Sequence, residues 1–124
     1  MSHQYEIAKE DSVIRVRTTG SFNFVGIFEM WEQIVAACNA HGCFRIIGLS
    51  NLDGPPASID SYEYLGMLQA VGLTPKHRVA WVAQNPVLFD QMLLAETTIR
   101  NRSELVVRIF EDEISAEAWI NSLD

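Results

Sequence analysis

The residues best suited to chemistry gather between Leu52 and Tyr64, in the segment LDGPPASIDSYEY. Gly54, Pro55 and Pro56 force a loop over Asn51–Ala57, and Ser58, Asp60 and Ser61 open the helix after it. Asp60 and Glu63 have capping-box spacing, as Ser58 and Ser61 do more weakly. Free N–H groups and the helix dipole favour negative charge at such an end. The segment can therefore take a phosphate or carboxylate, or carry a phosphoserine at Ser58 or Ser61. Ordinary capping asks for the same residue types. Ser58 or Ser61 with Asp60 and His77 can also be written as a hydrolytic triad, but neither serine sits in a Gly-x-Ser-x-Gly elbow. His77 reads instead as the start of a strand, between Lys76 and Arg78.

Other constellations are incomplete. Cys38, His41 and Cys43 form C-x-x-H-x-C, but a structural zinc site needs four ligands and no second cluster supplies the fourth. Neither G-x-x-x-x-G-K nor G-x-G-x-x-G occurs. The expectation is therefore no metal and no cofactor. Nine basic and 16 acidic residues give a net charge of −7 over 124 residues. That balance opposes nucleic-acid backbones and anionic lipid head groups. No apolar run approaches the roughly 20 residues of a membrane span. The N-terminal decapeptide lacks the basic and apolar regions of a signal peptide, and two cysteines make no disulfide framework. The chain reads as cytoplasmic, and its length fits one domain over residues 1–124.

The elements that must position the loop follow from periodicity. Gln4–Ala8 and Val13–Thr18 alternate apolar and polar residues, as half-buried strands do. A turn at Glu10–Asp11 would pair Ile7 with Ile14, Tyr5 with Val16 and Glu6 with Arg15. Arg15 and Arg17 are then expected to pair with Glu6 and its neighbours. A helix follows from Phe24 to Ala40, with Phe28, Trp31, Ile34 and Cys38 on its apolar stripe. FRIIGL (44–49), VAWVA (79–83) and LVVRIF (105–110) read as strands covered on both faces. Helices are expected over Ser58–Val71, from Asn85–Pro86 to Arg100, and over Ser115–Leu123. Glu111, Asp112, Glu113 and Glu117 read as a solvated acidic start to the last helix. The order is ββαβαβαβα, an α/β fold. Its five-stranded mixed sheet has strands two to five parallel and carries four helices.

Tyr62, Tyr64, Leu65, Met67 and Leu68 spread around the second helix more widely than one stripe requires. They are either core filling or the lining of an apolar pocket or dimer surface.

Three segments carry a family resemblance: FRIIGLSNLDG behind its amphipathic helix, VAWVAQNPVLFDQMLLAETTIR, and the ending RIFEDEISAEAWI. In this order and spacing the chain resembles the SpoIIAA-like family, whose fold is shared with STAS domains (sulfate transporter and anti-sigma factor antagonist). The resemblance implies a non-enzymatic switch or partner-binding module. In the anti-sigma antagonists a serine opening the helix after the middle strand is phosphorylated by a partner kinase. Ser58 and Ser61 lie near that place, in a loop that departs from the antagonists' Asp-Ser-Ser-Gly pattern. A further likeness to lipid-carrying Sec14-type folds implies a small apolar ligand as an alternative to a protein partner. The expected binding set is Asp53, Gly54, Ser58, Asp60, Ser61, Tyr62, Tyr64 and Met67. The competing readings are a small hydrolase using Ser61, Asp60 and His77, and a homo-oligomer or homodimer with the second helix as its interface.

Overall fold

The computed structural model describes residues 4–20, 24–52 and 61–122. Nine elements follow in the expected order: β1 (Gln4–Glu10), β2 (Val13–Gly20), α1 (Phe24–His41), β3 (Arg45–Leu52), α2 (Ser61–Ala70), β4 (Arg78–Ala83), α3 (Pro86–Arg102), β5 (Val106–Phe110) and α4 (Glu113–Ser122). The sheet order is β1-β2-β3-β4-β5. β1 is antiparallel to β2, and the remaining pairs are parallel.

Because the crossovers all step the same way along the sheet, right-handed connections carry α1, α2 and α3 to one face. Strand residues of one parity face them: Ile14, Val16, Ile46, Val79, Trp81 and Ile109 share the main core with all three helices. Residues of the other parity, Val13, Ile47, Ala80 and Val82, pack under Ala116 and Ile120 of α4. α4 alone covers that face among the described residues.

Local signals set the boundaries. Asn85 caps α3 by accepting from the N–H of Val87 at 2.9 Å and of Leu88 at 3.4 Å, with Pro86 at the first helical position. Asp112 caps α4 by accepting from the N–H of Ser115 at 2.7 Å, so that helix begins two residues before the expected Ser115.

Two expectations need correction. The hairpin turns at Asp11–Ser12, pairing Ile7 with Val16, Tyr5 with Thr18 and Glu6 with Arg17. This is two residues away from the register expected from apolar matching. A slip of two keeps every side chain on its face, so patterning cannot choose between the registers. Turn chemistry chooses: Asp11 takes φ +55°, a left-handed conformation that Asp tolerates. The acidic start of α4 is also not a free solvated face. Arg15 bonds Glu113 at 3.0 Å and Glu117 at 2.6 Å, as well as Glu10 at 3.1 Å, rather than Glu6.

Candidate functional site

Gly48 is the one small residue in the run FRIIGL apart from its neighbours' bulk, and Trp81 is its partner on β4. The indole lies flat on Gly48, so a Cβ there would overlap ring atoms Cε3 and Cζ3. Its Nε1 donates to Ser50 Oγ at 2.5 Å, and Trp31 of α1 stacks on it with centroids 5.3 Å apart. Glu96 enters the same region from α3. It is 7% exposed, accepts from the backbone N–H of Ile109 at 2.8 Å and from Arg100 Nη2 at 2.7 Å. Between these groups and Tyr64 and Leu68 of α2 lies an apolar cavity of about 30 Å³. That is room for about one water molecule.

α2 divides the expected binding residues. Tyr64 and Met67 are buried against the main core. Burial also pushes the Tyr64 phenol well above its ordinary range. Tyr62 points outward and is 61% exposed. Its hydroxyl accepts from Arg102 Nη2 at 3.3 Å, and the guanidinium stands 5.5 Å from the ring centroid. The first turn of α2 is thereby tied to the last turn of α3 by a cation–π contact. Ser61 is the first residue of α2. Asp53, Gly54, Ser58 and Asp60 lie outside the described residues.

His77 is not placed for catalysis. It is 3% exposed, and its Nδ1 accepts from the Thr74 N–H at 3.1 Å. The ring proton is therefore on Nε2, which has no hydrogen-bond partner among the described residues. The ring stands edge-on to Phe44, and the Lys76 ammonium lies 4.1 Å from the Phe44 centroid. A general base must reach substrate within hydrogen-bond distance, which this walled-in ring does not.

Burial, helped by the nearby Lys76 charge, lowers the His77 pKa from its ordinary 6.5. Between the two pKa values the unfolded chain takes up a proton that the native state refuses. His77 therefore favours the fold above about pH 6.5, and this contribution fades as the pH falls. In thermal unfolding across pH 5–7.5, His77→Gln should show a smaller acid-side fall in Tm than the wild type. Parallel profiles would remove His77 from the account.

Sequence reasoning missed Ser50 and Glu96 as polar partners at the core, and Arg102 as the partner of Tyr62. A glycine inside an apolar strand was the available signal for the Trp81 contact, since it marks a close approach. Nothing local marks Ser50 or Arg102, whose partners are distant in sequence; for Glu96 the i,i+4 spacing to Arg100 is local, but the Ile109 N–H is not.

No protein-family model and no curated protein match the chain. Solved structures do. An anti-sigma factor antagonist from Mycobacterium paratuberculosis superposes with a TM-score of 0.67 at 17% identity, over 97% of this chain and 95% of that one. A protein of the DUF3478 family from Shewanella loihica PV-4, described as having a SpoIIAA-like fold, gives 0.64 at 18% identity, over 97% and 96%. The fold is SpoIIAA-like. In this SpoIIAA-like frame the segment after β3, where the sequence places its serines, leads directly into the Tyr62–Arg102 contact.

Proposed function

We propose that the chain is a non-enzymatic regulatory module that docks a protein partner on residues 53–60 and the first turn of α2. The observation that carries this reading is Tyr62, a large aromatic ring held outward beside Arg102 at the end of that segment. Tyr and Arg are the residue types that dominate binding hot spots. The likeness to an anti-sigma factor antagonist over nearly the whole chain supports a regulatory role. A protein partner is favoured over a lipid-like ligand on size. The cavity under α2 is about 30 Å³, roughly a tenth of the smallest volumes typical of small-molecule pockets.

Phosphorylation of Ser58 or Ser61 would be the switch. A phosphate adds about two negative charges, which the N-terminal end of α2 accepts and an acidic partner surface rejects. The test begins with a partner isolated on the tagged chain from its native host, then purified and titrated. The triple variant Ser58→Ala/Ser61→Ala/Tyr62→Ala should bind it at least about tenfold more weakly, a loss near 1.4 kcal/mol, with Tm almost unchanged. Equal binding by the variant would move the site elsewhere. Turnover of simple esters or phosphoesters that disappears in His77→Ala would overturn the non-enzymatic reading.

A further inference from the structure

The sheet has two edges, β1 and β5, and they are treated differently. On β5 the N–H of Ile109 turns away from β4 and is taken by the buried Glu96 carboxylate. That side chain plugs the outer edge against another strand. β1 has no such plug among the described residues. Its seven residues form an unbroken ladder with β2, without proline, glycine or bulge, and all but Ile7 are exposed.

The hairpin fixes which backbone groups face outward. A two-residue turn closes on a hydrogen-bonded pair, here Glu10 with Val13. The N–H and C=O groups of Glu10, Ala8, Glu6 and Gln4 therefore point to β2. Those of Lys9, Ile7 and Tyr5 point off the sheet. An added antiparallel strand bonds to these three residues.

We infer that this edge binds a second copy of the chain, β1 against β1, about a two-fold axis at Ile7. Continuing the sheet with like faces together allows only registers that differ by two residues. Centred on Ile7, the strands pair Ile7 with Ile7 and Tyr5 with Lys9 twice, so all three outward residues of each copy are bonded. Lys9 then faces a tyrosine, Glu6 faces Ala8 and Glu10 faces Gln4. Centring on Glu6 sets two glutamates opposite each other and leaves Lys9 without a partner strand. Centring on Ala8 sets Glu6 against Glu10 and leaves Tyr5 out. Like charges directly opposite are destabilising, so both alternatives lose charge balance as well as hydrogen bonds. Within each copy Glu6 lies opposite Arg17 in the hairpin register.

The test uses the full chain. Sedimentation equilibrium at physiological ionic strength should show a species of twice the 14.0 kDa chain mass. Lys9→Pro removes an outward N–H while sparing the β1–β2 ladder, so it should weaken association about tenfold or more. Circular dichroism verifies that this variant is folded. The register is read by disulfide trapping in a Cys43→Ser background. Glu6→Cys mixed with Ala8→Cys should cross-link, whereas neither variant should cross-link with itself. A monomer at high concentration overturns the inference. So does a dimer that folded Lys9→Pro leaves intact, or one trapped by Glu6→Cys or Ala8→Cys alone.

Discussion

Gly48→Ala should lower stability by about 3 kcal/mol, the upper part of the range for overpacking a core. A Cβ at Gly48 collides with the Trp81 ring, not with the free end of a flexible chain. The indole cannot yield without losing its bond to Ser50 and its stacking on Trp31. Leaving a buried indole N–H unpaired adds to the steric cost. For a domain of this size the loss corresponds to a Tm fall of roughly 10–15 °C. Tryptophan fluorescence should also change in the folded variant, because the environments of Trp31 and Trp81 both shift. A Tm within about 3 °C of the wild type, with an unaltered spectrum, would mean the ring has room the geometry denies.

Arg15→Ala should cost about 2 kcal/mol and loosen α4 specifically. The guanidinium is 13% exposed and joins β2 to Glu10, Glu113 and Glu117. Burial works against its charge, but the hydrogen bond and charge of Glu117, then the charges of Glu10 and Glu113, outweigh this and raise its pKa. Removing it leaves three carboxylates facing one another. They are 38–52% exposed, so solvent screens part of the repulsion and the loss stays below that of a fully buried pair. Ala116 and Ile120 are the fully buried residues of α4, and beside them Trp119 packs on Phe110, so the clamp adds to a small apolar contact. Amide exchange should therefore quicken in α4 while α1 keeps its protection. Arg15→Lys should restore only part of the loss, because an ammonium cannot present a fork to several carboxylates. Adding Glu113→Gln and Glu117→Gln to Arg15→Ala should relieve the repulsion. Unchanged exchange in α4 would show that the clamp holds nothing.

The two effects act on opposite faces. The Trp81 stack organises the face under α1, α2 and α3. The Arg15 clamp secures α4 on the other face. Arg15 is remote from Tyr62 in the fold, so loss of partner binding in Arg15→Ala would require the whole sheet to relax.

The sequence by itself determined the element order and strand directions, because these rest on local periodicity, on boundary signals such as the Asn85–Pro86 helix start, and on the right-handed crossover. It also marked the faces of the hairpin correctly, since alternation survives a slip of two residues. Only the tertiary structure decided the hairpin register, where the left-handed Asp11 settles what apolar matching leaves degenerate. It alone placed α4 by itself on one face and spent Glu113 and Glu117 on Arg15, an arrangement that depends on residues about a hundred positions apart. The same holds within α2. Periodicity could not separate Tyr62 from Tyr64 as surface and core, because which side of a short apolar helix is covered depends on where α3 and the sheet lie.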